Sequence, residues 1–406
     1  MPALPQRSTS FARAMPRGST PWASSGHLFE LVRAGRATRR RELQDVTGLS
    51  RSTVTGRVDQ LLAAGLLHES GVEHGPRGRP STVLAVCESY GVVLTADLGA
   101  THARAAVCDL AGTTLVETNT DLLISNGPHV VLGWLERTWT EQLGSGAVSG
   151  ARVVGLGVGI PGPVDFDAGC AVRPPIMPGW DGYPVRRQLT ERFGVPGFVE
   201  NDANVMALGE YHAGFPGSPS FLFVKVATGI GAGLVVDGQL IRGATGGSGD
   251  IGHIRLDGSQ PQPQCACGAR GCLAATASGG AIARRLRDLG RPARSSREAV
   301  RLAEQGDSQA VALVRNAGLL IGDVLATSVS LLNPEVLMIG GDLQQAQDHF
   351  MAALRERLYQ RTQPLATREL LVVTSSLGER SGISGAARLV VDEVFSAESI
   401  DRMLAG

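Results

Sequence analysis

The sequence predicts an α/β protein in two parts: an N-terminal winged helix-turn-helix, then a larger α/β body built from glycine-punctuated strands. Three observations predict it. Helix, turn, helix and a strand pair follow one another within the first 86 residues; after Tyr90 the texture changes to β-branched runs broken by glycine; and charge is divided between the two parts. The 406 residues exceed what one core usually serves, so two or three domains are expected. Residues 1–86 carry 12 Arg against 6 acidic groups, whereas the other 320 carry 26 basic against 32 acidic ones, within a formal net charge of zero. A basic first fifth on an acidic body points to a polyanionic partner at the N-terminus.

The first 23 residues, rich in Pro, Ser and Arg, read as a mobile tail. They lack the apolar stretch of a secretory signal. No run approaches the roughly 20 apolar residues of a membrane span. A soluble cytoplasmic protein is expected, with no membrane partner.

The N-terminal module spans 24–87. Leu28, Leu31 and Val32 share one helix face, and Gly35 can end that helix. Thr38 suits the N-cap of a second helix, RRRELQDV, with Leu43 and Val46 facing inward. Gly48 supplies the turn, Ser50 caps a third helix through Ala64, and Gly65 closes it. Val54, Val58, Leu61 and Leu62 form its buried stripe, which leaves Arg51, Ser52, Thr53, Thr55, Gly56 and Arg57 on or beside the opposite face. Short hydroxyl side chains and arginines at the start of such a helix suit a major-groove reader of double-stranded DNA. Two strand-like runs then flank Pro76-Arg77-Gly78-Arg79-Pro80, a wing whose Arg77 and Arg79 fit a narrow minor groove. The competing reading is a helical protein-interaction module with a solvated basic loop. A lone lysine, Lys225, stands against 37 arginines, as a GC-rich coding sequence would produce, so single arginines carry little weight.

The body opens with strand, turn and strand in VVLTADLGATHARAAVCDLAG, where Asp97 and Thr101 bracket Gly99. A second such unit, FLFVKVATGIGAGLVVDGQLI, carries a glycine-rich turn over Thr228, Gly229, Ile230, Gly231, Ala232 and Gly233. Glycines in such turns let backbone N–H groups approach phosphate oxygens, although glycine-rich β-turns are common for other reasons. Further along stand a Pro-Gly turn at Gly162, an Asn201-Asp202 pair at a strand-to-helix junction, GDIGHI at 249–254, and a strand ending in Gly340-Gly341.

Cysteine usage suggests a metal site rather than a disulfide framework, since Cys265, Cys267 and Cys272 cluster while Cys87, Cys108 and Cys170 are scattered. With His253 twelve residues upstream they offer three thiolates and an imidazole, a closed tetrahedral set for structural Zn2+. The alternative is three unligated thiols.

This series of motifs resembles the ROK family (repressors, open reading frames and kinases), and the resemblance runs over essentially the whole chain. The winged helix matches the repressor branch. The resemblance implies two actin-like (ribonuclease H-like) α/β lobes: 88–200 with a C-terminal helix, 383–406, joining the first lobe, and 201–382 forming the second with the zinc knuckle. It implies sugar or effector contacts at Gly162, Asn201, Asp202, Asp250 and His253, with Asp202 in the place of the catalytic base. It also implies phosphate loops at Asp97, Gly99, Thr101, Thr228, Gly229, Gly231, Gly340 and Gly341, and a homodimer or tetramer.

A sugar kinase needs a carboxylate base, two phosphate cradles and a metal-bound nucleotide. Asp202 permits that chemistry, but other positions depart from the kinase pattern. Ala274 and Asp250 stand where sugar-phosphorylating members carry Glu, Ile176 where they often carry Asn, and Ala100 and Ala227 where phosphate loops carry Gly. Each unsatisfied ligand group costs about 1–3 kcal/mol. The expectation is a sequence-specific repressor of sugar-metabolism genes whose body binds a sugar or sugar-phosphate effector. The alternatives are a vestigial cleft acting as a dimerisation scaffold, and an active hexose or N-acetylhexosamine kinase using ATP and Mg2+.

Overall fold

The computed structural model describes residues 24–73, 81–256 and 262–405. The chain divides into two compact units, Met1–Tyr90 with Glu393–Gly406, and Gly91–Asp392. The expected tail, 1–23, and the wing tip with Arg77 and Arg79 lie outside the described residues.

In the first unit, α1 (Ser25–Arg33) starts at Ser24, whose hydroxyl accepts from the His27 amide and so satisfies one of the orphan donors of the first turn. It buries Leu28, Phe29, Leu31 and Val32. Helix α2 (Arg40–Thr47) begins one residue later than its expected cap: Arg39 holds the cap position, and the Glu42 carboxylate reaches back to the amides of Thr38 at 2.8 Å and Arg39 at 3.1 Å. Leu43 is fully buried, but Val46 is 56% exposed, against the expectation. Leu43 is the residue this eight-residue helix buries, and Val46 stands in its last turn, one residue before it ends at Thr47. Gly48 adopts φ +68, the left-handed backbone that turns the chain into the next helix. Ser50 caps α3 (Arg51–Ala63), and Val54, Val58 and Leu61 are fully buried while Leu62 is half-buried. Strands β1 (Leu67–Glu73) and β2 (Ser81–Val86) then pair antiparallel.

The stretch 383–406, expected to join the first lobe, is divided between the units. The C-terminal helix Ala397–Ala405 packs on α1: the Gly26 amide donates to Asp401 at 2.8 Å and the Ala397 amide to Glu30 at 3.0 Å. Phe395 stacks on Phe29 with ring centroids 5.9 Å apart and meets Tyr90 edge-on. The aromatic core of a small domain is thus completed by residues more than 300 positions away.

The second unit contains two sheets of the same topology. In the first, β3 (Val92–Leu98), β4 (Ala103–Asp109) and β5 (Thr114–Thr120) form an antiparallel meander. After α4 (Pro128–Gly144), β6 (Val153–Ile160) returns parallel to β3. A small hairpin, β7 (Val164–Asp165) and β8 (Cys170–Ala171), and α5 (Val185–Phe193) lead to β9 (Gly197–Asn201), parallel to β6. The order is β5-β4-β3-β6-β9.

Helix α6 (Asp202–Gly214) leads into the second sheet, where β10 (Ser220–Val226), β11 (Ile230–Val236) and β12 (Gln239–Leu240) repeat the meander. Helices α7 (Leu273–Ala277), α8 (Gly279–Asp288), α9 (Ser296–Glu304) and α10 (Ser308–Leu332) follow. Strand β13 (Val336–Gly340) runs parallel to β10, and after α11 (Ala352–Arg361) and α12 (Pro364–Thr367), β14 (Leu371–Thr374) runs parallel to β13. The order is β12-β11-β10-β13-β14, the same scheme as the first sheet. Helix α13 (Ser381–Val394) ends the series.

Covered central strands explain the continuous apolar runs: every residue of β3 and β13 is buried. Helix α10 is long and apolar enough, by length and composition, to cross a membrane, which differs from the sequence reading. Half of that window is buried, and Val314, Ile321, Leu325 and Val329 sit in the core beneath the second sheet, so the apolarity serves packing.

Candidate functional site: a cleft and a cysteine cluster

Helix α6 is buried over Asp202–Tyr211. It lies against β11 so closely that a Cβ on Gly233 would stand 2.6 Å from the Ala207 methyl and 2.7 Å from the Ala203 carbonyl. That glycine therefore serves helix–strand packing. The turn joining β10 to β11 is Ala227-Thr228-Gly229; Ile230 onwards is strand, so the predicted turn ends two residues after it begins. The N-terminus of α6 faces a cavity of about 770 Å³ lined from both sheets.

Gly162, Asn201, Asp202, Asp250 and His253, all expected at the effector, line this cavity. So do Asp97, Thr101, Thr228, Gly229, Gly231 and Gly341 of the expected phosphate loops. Gly99 and Gly340 do not: their backbones are held against the His102 ring and the Phe223 ring respectively. The positions that depart from a kinase pattern, Ala100, Ile176, Ala227, Asp250 and Ala274, are lining residues too.

Asn201 is committed at both ends. Its Oδ1 accepts from the amides of Ala203 at 3.0 Å and Asn204 at 3.3 Å, capping α6, while Nδ2 donates to the Gly162 carbonyl at 2.8 Å. Beneath it Glu200 is 2% exposed; its carboxylate accepts from the Asn201 amide, the Asn204 side chain and, at 2.6 Å, Arg242, whose guanidinium stacks on Phe166. Satisfied polar networks of this kind fix geometry in a core.

Sequence reasoning missed three contributors to the cleft. The first is Lys225 on β10, whose Nζ donates to Asp202 Oδ2 at 2.7 Å. Burial disfavours its charge, but Asp202, Asp97 and Asp342 outweigh that and hold the ammonium above its ordinary range. The second is Arg104 on β4, which pairs with Glu117 and, at 2.6 Å, with Glu379; Arg297 reaches the other Glu379 oxygen at 2.6 Å and Asp342 at 3.2 Å. The third is the start of α9, where Ser296 and Arg297 line the cavity. Asp97 is 5% exposed; burial opposes its ionisation, but His102, Lys225 and Arg104 prevail and hold its carboxyl below the usual range. Asp97 Oδ1 has no hydrogen-bond partner among the described residues.

The cysteine cluster adjoins this cavity, with His253 and Cys265 belonging to both. His253 closes a single helical turn, Ile251–His253, and Cys272 immediately precedes α7. A tight turn, with the Cys265 amide donating to the Ala269 carbonyl, folds Cys265 and Cys267 back towards them. The four ligand atoms lie within 4.8 Å of one another, with Cys267 Sγ 3.7 Å from Cys272 Sγ and Cys265 Sγ 3.5 Å from His253 Nδ1. Tetrahedral zinc bonds require edges of about 3.8 Å between sulfurs and about 3.6 Å between sulfur and nitrogen, so the donors fit. Burial and the adjoining sulfurs push the Cys272 thiol up to about 12, a crowding that a bound dication would relieve.

On the first unit, Arg51, Ser52 and Gly56 are exposed along α3, while Thr53, Thr55 and Arg57 are half-buried. The Ser50 hydroxyl lies 2.9 Å from that of Ser52 and 2.8 Å from that of Thr53, so both are turned towards the helix cap. Arg40 ties α2 to Asp59 at 3.3 Å and Glu69 at 3.0 Å, fixing α3 and β1 beneath the exposed face.

A family model described as the ROK family matches residues 93–393. The putative xylose repressor of Caldicellulosiruptor sp. (strain Rt8B.4) is 27% identical over 375 residues, covering 89% of this chain and 93% of its own. The glucokinase of Thermotoga maritima is 30% identical over 313 residues, covering 73% of this chain and 96% of its own. Among solved structures, a ROK family transcriptional regulator, a homologue of the Escherichia coli Mlc protein, superposes with a TM-score of 0.80 at 25% identity, covering 95% of this chain and 99% of that one.

Proposed function

The chain belongs to the ROK family, and from that premise we propose that it is a sugar-responsive, DNA-binding transcriptional regulator. One observation carries the reading: the similarity to the repressor takes in 89% of the chain, against 73% for the glucokinase, a share for which the body alone accounts. Relatives named as DNA-binding regulators of Escherichia coli, Mlc and NagC, are likewise matched over 94% of this chain. The helices, turn and strand pair of the first unit are what such a regulator adds.

In this reading α3 enters the major groove, with Arg51, Ser52, Thr53, Thr55, Gly56 and Arg57 on the side that meets bases and phosphates, and Arg77 and Arg79 enter the flanking minor groove. A homodimer, or a tetramer of such dimers, presents two recognition helices to a near-palindromic operator. The cleft takes the effector: Asp202, Asp250 and His253 offer acceptors and a ring nitrogen to sugar hydroxyls, and the Asn201–Gly162 bond holds the pocket's floor. Thr228, Gly229 and Gly341 provide backbone and hydroxyl donors for a phosphorylated effector. Preferential binding of the effector to one conformation of the body shifts the population and with it DNA affinity. The Cys265, Cys267, Cys272 and His253 set holds structural zinc, which fixes the segment that brings His253 to the effector. The protein acts in the cytoplasm, where its DNA and sugar partners reside.

The second reading, an ATP-dependent sugar kinase, is favoured by the carboxylate of Asp202 in the cleft and opposed by its pairing with Lys225. A sugar panel in a coupled ADP-release assay separates the two. The regulator reading expects no sugar-dependent ADP from the wild type, and expects Asp202→Ala to keep DNA binding while losing the sugar response. Steady sugar-dependent turnover would instead establish the kinase.

A further inference from the structure

Lys225 is the only lysine in 406 residues, and it sits in the middle of the cleft. Strand β10 places it there between two neighbours: Lys225 pairs with Gly231 on β11 and with Gly340 on β13. Its side chain is 15% exposed and its Nζ stands 2.7 Å from Asp202 Oδ2. Asp97 from β3 and Asp342 from the turn after β13 line the same cavity and also act on its charge, so carboxylates from three separate elements share one cleft with this ammonium. Without a cation, such a convergence of buried carboxylates would be strongly unfavourable. Phosphoryl-transfer clefts meet the same requirement with a divalent ion that arrives with the nucleotide and keeps an octahedral shell of oxygens.

We propose that Lys225 is a built-in counter-ion that fills the carboxylate pocket of this cleft, so that the cleft accepts a neutral polyhydroxyl ligand and excludes a divalent cation with its nucleotide. The inference rests on the effector-binding reading above and sharpens it. A tethered ammonium is a compact point charge that cannot leave, and it takes up one carboxylate oxygen of Asp202, the group a kinase needs free to accept a proton. Asp342 has Arg297 at 3.2 Å and Asp97 has His102 at 3.9 Å, so Lys225 completes the neutralisation of the pocket without a metal ion. A sugar hydroxyl, by contrast, can donate to the remaining oxygen of Asp202 and to Asp250, both of which line the cleft. Lys225 is therefore a specificity-determining residue: it separates sensing from phosphorylation within one fold.

A single lysine makes the test direct. Full-length protein grown with ¹³Cε-lysine gives one lysine side-chain signal, which is titrated with MnCl2 together with a non-hydrolysable ATP analogue. The expected result is a signal that stays sharp. In parallel, free Mn2+ measured by electron paramagnetic resonance should show Lys225→Met binding the ion at least about tenfold more tightly than wild type or Lys225→Arg. Adding Asp97→Asn to Lys225→Met should remove the gain. Selective broadening of the Lys225 signal overturns the proposal, as does equal Mn2+ affinity in wild type and folded Lys225→Met, or a gain that survives Asp97→Asn. If Lys225→Met does not fold, the wild-type titration decides alone. None of these readouts depends on DNA, so they fail or succeed separately from the regulator reading.

Discussion

The Asn201 side-chain amide donates to the Gly162 carbonyl at 2.8 Å, while its oxygen caps the helix that begins with Asp202. One side chain thus sets the distance between the Pro-Gly turn and the carboxylate at the cleft's centre. Asn201→Ala should cost about 1 kcal/mol through the lost cap alone, with a further loss from the unpaired Gly162 carbonyl. Chemical denaturation measures the stability change. A thermal-shift titration with the responsive sugar should show ligand stabilisation disappearing in the same variant, because Asp202 and Gly162 are no longer held in register.

The cysteine cluster predicts one zinc per chain, measurable by elemental analysis. Cys272→Ser removes a fully buried ligand. It should lower the unfolding midpoint of the body by several degrees, given about 2 °C per kcal/mol at this size, and a strong chelator should reproduce the shift in the wild type only. The effect should reach the effector as well, since His253 belongs to both the cluster and the cleft.

Stability and DNA binding should move in opposite directions at Gly56. A Cβ there would meet no atom within 4 Å, and the residue is exposed in the middle of α3. Gly56→Ala should stabilise the first unit by about 0.5–1 kcal/mol through helix propensity. It should weaken operator binding, because the added methyl stands on the groove-facing surface. Arg51→Ala should weaken binding by about 1–3 kcal/mol if it reads a base, and more uniformly across sequences if it holds a phosphate. Competition with mutated operators distinguishes the two.

Acid should destabilise the body partly through Asp97. Burial works against its charge, yet His102, Lys225 and Arg104 keep its folded value below the ordinary 3.8. Folding therefore favours the ionised form: the stabilisation is complete above pH 3.8 and is lost as pH falls through the folded value. Asp97→Asn should flatten the pH dependence of the body's unfolding free energy below pH 4, which denaturation at a series of pH values would record.

Local signals were legible in the sequence because their causes are local. Ser50 caps the helix it precedes, Gly48 takes the left-handed turn, and Val54, Val58 and Leu61 lie on one buried stripe. Val46 misled because periodicity alone does not say how wide a buried stripe is. Gly233 belongs to β11 rather than to the turn for a related reason: it serves the approach of α6, a tertiary cause that a glycine-rich run does not reveal. The partner of α1 was out of reach, since Phe395 and Asp401 come from the far end of the chain. Lys225 carried a signal, its solitude in the sequence, but its meaning appears only when parallel pairing and α6 bring three carboxylates around it.

The most direct test of the central claim is fluorescence anisotropy of the full-length protein on DNA from immediately upstream of its own gene, titrated with sugars and sugar phosphates. Salt is held fixed because phosphate contacts make affinity steeply dependent on ionic strength. A sugar-responsive regulator gives tight, competitor-resistant binding whose affinity changes on adding one particular neutral sugar. Absence of specific binding, or binding indifferent to every sugar while ADP is released in the coupled assay, would contradict it.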